Sequence, residues 1–562
     1  MEIKKTEEEL LLEVENLKVE IKKLKKQKRF GLVWEDKPEK FDKESKNALP
    51  VLKEKGGKFK DVISDKEKDF NILIEGDNYH SLSVLNYTHR GKIDVIYIDP
   101  PYNTGIKDFK YNDYFVDKED RFRHSKWLSF MSKRLKLAKN LLKENGVAFV
   151  SIDDNEQAQL KLLCDEIFGI NNTDTMVWRK SGESRDGKMK NTTTFRKDHE
   201  YILLCFKRKN VLNKIKENPN FQNEYPNPDK DPRGSYKAGS ISRKEEASNP
   251  NHKNYYSVIS PSEKIFTRQF DITKEEFDKL NNDTVLNSEE KLVSRIYWGK
   301  EGSAVPAIKI FIKEERSITP YSILLNKGTT TEGTKEASSI LNKDLTSMRP
   351  KPSRLIATLL QLSTNKNSIV LDFFAGTGTT GQATLKLNNK YGGNRKFILC
   401  TNNEDKICEK IAWERIKKVS KGYIMEDGEK IEGLGGNLKY LKTDFIKIDK
   451  ITDNLRNKMV DSSTEILCLK ENTFNLVSDN YKKIKTKIFN NSDKYTAILF
   501  DLFYFDGFVK ELKKLKDKPV SVYVFSYTKD FSIEEFGNLD IDFTVEAIPE
   551  KVLETYQKIF NF

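Results

Sequence analysis

At 562 residues, with 37% hydrophobic and 33% charged side chains, the chain exceeds one ordinary core, so two or more domains are expected. No apolar run approaches the roughly 18 residues of a membrane span, and "MEIKKTEEELLLEVENLKVEIKKLKK" is too charged for a signal peptide, which argues for a cytoplasmic protein with no membrane contact. The net charge of +13 permits a polyanionic partner without demanding one, and five scattered cysteines and five scattered histidines argue against a disulfide framework and against a metal centre.

The N-terminus carries Ile3, Leu10, Val14, Leu17, Ile21 and Leu24 at spacings of a coiled-coil seam or of an amphipathic helix lying on its own domain. From about residue 70, "FNILIEGD", "IDVIYIDPPY" and "VAFVSIDDNE" read as buried strands, with the helix "WLSFMSKRLKLAKNLLKENG", closed by Gly146, before the third. Alternating buried strands and helices predict a parallel, doubly wound sheet, which binds ligands at the carboxyl ends of its strands, where Asp77, Asp99 and Asp153 fall.

Regularity fades from about 180 to 345 into Asn-, Pro-, Gly- and Lys-rich sequence, interrupted by the strand-like "YILLCFKRKN". So long an irregular stretch predicts an inserted domain with its own task. Its basic residues Arg179, Lys180, Arg185, Lys188, Lys190, Arg196 and Lys197 are candidates for phosphate contacts, though each taken singly reads first as solvated surface charge. Strand–turn–helix order returns with "NSIVLDFFAGTGTTGQATLKL" and "RKFILCTNNEDKICEKIAWERIKKV", and the last hundred residues read as a small α/β unit.

In "LDFFAGTGTTG", Gly376 and Gly378 allow a sharp turn and close approach to a ligand, while Thr379 or Thr380 can cap the following helix. No lysine follows, which excludes a phosphate-binding P-loop, and Asp372 entering the loop disfavours a pyrophosphate. Glu404, after the next strand, suits two ribose hydroxyls. A ribose-bearing ligand with a cationic end fits both acids, and S-adenosylmethionine is such a ligand.

The turn Asp99-Pro100-Pro101-Tyr102 ends a buried strand. An exocyclic amino group is a poor nucleophile because its lone pair is delocalised into the ring. Acceptors aimed at its protons favour the tetrahedral, attacking nitrogen. The Asp99 carboxylate and the Pro100 carbonyl are such acceptors, the prolines restrict the backbone between them, and Tyr102 offers a face for a planar base.

"DPPY" with "DFFAGTGTT", in that order, resembles the β class of amino-group DNA methyltransferases that act on adenine N6. "GLVWEDKPE", "IEGDNYHSL", "VSIDDNE", "HEYILLCFK", "MRPKPSRLI" and "FILCTNNE" extend the resemblance to the modification subunit of type III restriction-modification systems. It implies a Rossmann-like class I S-adenosylmethionine-dependent methyltransferase fold with an inserted target-recognition domain. The expected division is an N-terminal helical arm over 1–45, a catalytic half over 46–180, recognition over 181–345, a cofactor half over 346–450 and a C-terminal region over 451–562. The resemblance implies catalytic roles for Asp99, Pro100, Pro101 and Tyr102, and a cofactor pocket drawing on Asp77, Lys351, Asp372, Phe374, Gly376, Gly378, Thr379 and Glu404. Asp77 is also readable as a strand-end cap, and Lys351 as part of a plain loop. Implied partners are double-stranded DNA, a second copy of the chain and a restriction subunit carrying helicase and nuclease parts. Open alternatives are a stand-alone adenine or cytosine-N4 methyltransferase and a recognition subunit without enzymatic activity. Asp153, Asp154 and Glu156 tempt as a metal cluster, but methyl transfer needs none. Trp127 and His124 read as packing or surface residues.

Overall fold

The computed structural model describes residues 34–39, 48–65, 68–111, 114–182, 196–209, 212–216, 226–311, 317–447, 453–526 and 531–560, with Val14, Glu15 and Lys18 as isolated positions. Most of the N-terminal seam, and Arg185, Lys188 and Lys190, therefore lie outside the described residues.

A ten-stranded sheet organises the larger unit. Its strands are β1 (Ala48–Glu54), β2 (Phe70–Glu75), β3 (Ile93–Ile98), β4 (Leu142–Ile152), β5 (Thr173–Arg179), β6 (His199–Phe206), β7 (Ile323–Leu324), β8 (Ile369–Asp372), β9 (Lys396–Thr401) and β10 (Asn437–Lys447). They lie in the order β1-β10-β2-β9-β8-β3-β4-β6-β5-β7. The central run from β10 to β4 is parallel. Every residue of β2 and of β3 is buried, as a strand covered by helices on both faces requires.

Strand order reverses between β8 and β3, where Val370 pairs with Val95 and Leu371 with Ile96. Residues 372–378 and 99–102, distant in sequence, therefore leave neighbouring strand ends. In a doubly wound sheet this switch point is where a crevice opens.

Three details depart from the sequence reading. The helix Arg123–Leu141 (α2) stops short of Gly146, because residues from Leu142 onward already belong to β4. The run at 199–206, assigned above to the insertion, is a strand of the main sheet, antiparallel to both β4 and β5. Its continuous apolar stretch Ile202 to Phe206 is wholly buried, which only a covered sheet position satisfies. The separate compact unit accordingly spans Lys214–Pro320 and not 181–345. The 321–345 flank returns to the main unit, where Glu336 accepts from Ser353 and Gln382.

The Lys214–Pro320 unit has its own core of Phe266, Phe270, Phe277, Ile296 and Trp298, with Tyr256 stacked on Phe270 at 4.4 Å. Its buried Lys309 is neutralised by Asp231 at 2.8 Å.

The C-terminal residues form a five-stranded mixed sheet with adjoining helices, the small α/β unit expected. It packs on the 48–98 region of the larger unit, where Tyr87 donates to Glu546 at 2.7 Å and the buried Tyr556 donates to the Pro50 carbonyl at 2.7 Å. Among the described residues no helix is long and apolar enough to cross a membrane.

Candidate active site

The crevice has two walls. One is the turn after β3. Its Asp99 accepts from the Tyr102 hydroxyl at 2.8 Å and from the Lys351 ammonium at 2.9 Å on each carboxylate oxygen. Lys351 also lies 2.7 Å from the Tyr102 hydroxyl and 3.3 Å from Glu200. Glu200, at the start of β6, accepts from Tyr102 at 3.2 Å and from Lys180 at 3.2 Å.

Lys351 side-chain exposure is 10% and that of Glu200 is 11%. Burial disfavours the Lys351 ammonium, but the Asp99 and Glu200 carboxylates outweigh it and hold its pKa above the usual lysine range. Burial likewise raises Glu200, while Lys351 and Lys180 overcome it and leave the carboxyl below its ordinary value. The half-buried Tyr102 phenol, desolvated beside two carboxylates, is held well above its ordinary value and stays a hydrogen-bond donor. Its hydroxyl is thus anchored from several sides, which fixes the ring.

A second support lies behind the prolines. Trp127, fully buried on α2, donates its indole N–H to the Pro101 carbonyl at 2.7 Å. The residue read above as packing therefore also fixes the backbone of the turn.

The other wall is the glycine loop between β8 and the helix Thr379–Tyr391 (α5). Gly376 and Gly378 take φ of +48° and +81°, the left-handed region that glycine adopts freely. A Cβ on Gly376 would approach no neighbour closer than the Phe374 carbonyl at 3.9 Å, so that face of the loop opens outward. Asp372 has 3% of its surface exposed, accepts from the Thr380 hydroxyl at 2.5 Å and from the Phe374 N–H at 3.0 Å, and so braces the loop from inside. Burial pushes its carboxyl up to about 7 against the pull of those two donors.

Neither threonine caps α5. Gly378 is the N-cap, with no side-chain capping bond, and both threonines lie inside the first turn. Thr380 serves Asp372, and the Thr379 hydroxyl accepts from Arg415 at 2.9 Å. Arg415, fully buried on the helix Trp413–Lys421 (α6), also holds the Thr377 hydroxyl at 2.9 Å and Gln382 at 2.8 Å. Nothing in its local sequence marks it.

Phe374 is half-buried beside Phe130, with ring centres 5.9 Å apart. Glu404 stands exposed just beyond β9 and pairs with Lys110 at 2.8 Å. Asp77 caps the helix Asn78–Thr88 (α1) through the Tyr79 N–H at 2.7 Å, the cap reading, while its other oxygen lies 3.7 Å from Arg134. Lys351, assigned by resemblance to the cofactor pocket, has its ammonium on the Asp99 side of the crevice. Sequence reasoning missed Glu200, Asn103 and Arg415. For Glu200 a signal existed: a lone acid opening an otherwise apolar strand.

Of the basic candidates for phosphate contact, Lys180 pairs with Glu200 and Lys197 with Asp154 at 3.0 Å. Arg196 lies 3.8 Å from Asp198. Asp153 accepts from the Asn155 N–H at 2.9 Å and holds its own turn.

The strand order, the switch-point crevice and its two walls define a Rossmann-like methyltransferase fold. Residues 93–413 match the DNA methylase family model, and the chain belongs to that family. It is 30% identical over 398 residues to the type III restriction-modification enzyme StyLTI Mod subunit of Salmonella typhimurium, covering 66% of this chain and 59% of that protein. It is 32% identical over 412 residues to the EcoPI Mod subunit of Escherichia phage P1, covering 63% and 62%. With the type II methyltransferase M.KpnI of Klebsiella pneumoniae it shares 30% identity over 362 residues, 61% of this chain and 82% of that one. The matches to the two Mod subunits thus span about three fifths of each of those relatives.

Proposed function

We propose that the chain transfers a methyl group from S-adenosylmethionine to adenine N6 in duplex DNA, as the modification subunit of a type III restriction-modification system. One observation carries this: the Asp99–Tyr102 turn and the glycine loop leave adjacent parallel strands at the switch point, so an amino-group acceptor site and a nucleoside site share one crevice.

The residues fit that cofactor. The open face at Gly376 admits close backbone approach, Glu404 is an exposed carboxylate for ribose hydroxyls, and Phe374 offers an aromatic edge. When bound, S-adenosylmethionine supplies an electrophilic methyl on a sulfonium.

The protein's task is then positioning. Asp99 and the Pro100 carbonyl accept the two N–H groups of the target amine and concentrate its lone pair on nitrogen. Lys351 pairs with Asp99 and holds it in place, and Tyr102, anchored by its hydroxyl, stacks on the base. The base has to leave the duplex to reach it, at a cost of a few kcal/mol of unstacking. The Lys214–Pro320 unit serves as the reader of sequence, and a second copy and a helicase-nuclease subunit complete the assembly. The StyLTI and EcoPI relatives, both named as Mod subunits, support the type III assignment.

The test is methyl transfer from labelled S-adenosylmethionine to unmethylated genomic DNA, followed by single-molecule sequencing. N6-methyladenine in one short motif, on one strand only, is the expected product. N4-methylcytosine, or transfer to RNA alone, overturns the reading.

A further inference from the structure

Directly behind the catalytic turn lies a polar cluster that the proposed chemistry does not use. Asn103 follows Tyr102, is fully buried and takes a left-handed backbone with φ +56°. Its Nδ2 donates to Glu156 Oε1 at 2.5 Å and to the Arg123 carbonyl at 3.2 Å. Reversing the amide would set its oxygen against those two acceptors, so the orientation is fixed.

Glu156 has 0% exposure. It occupies the N-cap position of the helix Gln157–Phe168 (α3) but makes no capping bond. The side chain turns instead to Asn103 and to His124, whose Nδ1 lies 2.7 Å from the same Oε1.

Among the described residues three buried atoms of this cluster lack a partner: the oxygens Glu156 Oε2 and Asn103 Oδ1, and the donor Arg123 Nε. The two oxygens are both acceptors if Glu156 is ionised, and leaving both buried and unmet is costly. A single proton on Oε2 removes the buried charge and turns one of the two unmet acceptors into a donor, on the residue that already receives the Asn103 amide.

We propose that Glu156, as a neutral carboxylic acid, is a positioning residue that clamps Asn103 and through it the backbone of the Asp99–Tyr102 turn. The charged and titratable groups around it agree. Burial pushes the Glu156 carboxyl up to about 8; the hydrogen bond from Asn103 and the Arg123 charge oppose the rise without prevailing, and Asp153 adds to it. His124 is lowered by its own burial and by Arg123, which disfavours a charged imidazole beside Glu156, and Gln159 Nε2 lies 3.4 Å from the same Nδ1. The short bond from Asn103 joins the clamp to the residue beside Tyr102. A carboxyl kept only to cap α3 would face the helix amides.

The kinetic arm of the test rests on the methyl-transfer reading, and the spectroscopic arm does not. Glu156→Gln preserves the shape and both hydrogen-bonding faces of the neutral acid. It should keep wild-type kcat at pH 7 and hold it above pH 8, where the wild type falls as Glu156 ionises. Glu156→Ala should lower kcat roughly 100-fold while S-adenosylmethionine affinity changes less than about threefold. Asn103→Gly, which keeps the backbone angle and deletes the amide, should share that loss.

Independently, a wild-type-minus-Glu156→Gln infrared difference spectrum at pH 7 should show the C=O stretch of a protonated carboxyl, present whether or not a DNA substrate has been found. Absence of that band overturns the proposal. So does a folded Glu156→Ala enzyme with unchanged kcat, or a Glu156→Gln enzyme as impaired as Glu156→Ala.

Discussion

The Lys351 ammonium lies 2.9 Å from both carboxylate oxygens of Asp99, although 252 positions separate the two residues. In the mechanism proposed above, that pairing orients the carboxylate that receives the target amine. Asp99→Ala should therefore bind S-adenosylmethionine as wild type does and lose transfer by roughly 10²–10³-fold. Calorimetric binding beside single-turnover kinetics checks both halves, and an active Asp99→Ala enzyme contradicts the mechanism.

Removing the other partner tests the electrostatics. Lys351→Met leaves Asp99, whose side chain is 30% exposed, without its cation beside Glu200, which keeps Lys180 at 3.2 Å, a loss of about 1–3 kcal/mol. Urea unfolding at pH 7 should register that loss. Adding Glu200→Gln should recover part of it, since the like charge beside Asp99 is then gone.

Asp372 offers a pH signature. Its folded carboxyl sits at about 7 against an ordinary 3.8. The folded state therefore holds a proton that the unfolded chain has released. The stability contributed is complete below pH 4 and is lost as pH rises through 7, by up to about 1.4 kcal/mol per unit. Asp372→Asn can still accept from the Phe374 N–H and meet the Thr380 hydroxyl, so its stability should run flatter than wild type between pH 4 and 7. Parallel unfolding curves over that range contradict the assignment.

Gly376 in the loop and Gly381 in the first turn of α5 should fail in different ways. Alanine at Gly376 meets open space and suffers only the left-handed backbone, a cost of about 1–2 kcal/mol. Its methyl occupies the side where a ligand would approach, so cofactor affinity should fall at least about tenfold, a loss of roughly 1.4 kcal/mol of binding. Alanine at Gly381 would lie 2.8 Å from Ile416 Cδ1 and 3.0 Å from Leu399 Cδ1. That variant should lose about 1–3 kcal/mol of stability through overpacking. Thermal melts and cofactor titrations on the pair separate the two effects.

Trp127→Phe keeps most of the buried ring but deletes the donor to the Pro101 carbonyl. A loss of about 1–3 kcal/mol is expected from the unmet buried carbonyl, together with a lower kcat at unchanged cofactor affinity. Equal losses in kcat and cofactor affinity would show that the indole supports the sheet generally and not this turn.

What the sequence determined by itself is local. Continuous apolar runs named the buried strands, and the residues that end them, Asp99 and the Gly376–Gly378 turn, were legible because a strand end, a proline pair and glycines in a tight turn are constraints between neighbours. The tertiary structure decided the rest. Lys351, Glu200, Arg415 and the Glu156–Asn103 clamp act through partners 33 to 252 positions away, and no periodicity reports which charges a fold will bury together. The same holds for the run at 199–206: its apolar pattern announced a strand, but only sheet pairing showed that it lies in the main sheet, where a two-sided apolar strand loses least by being covered.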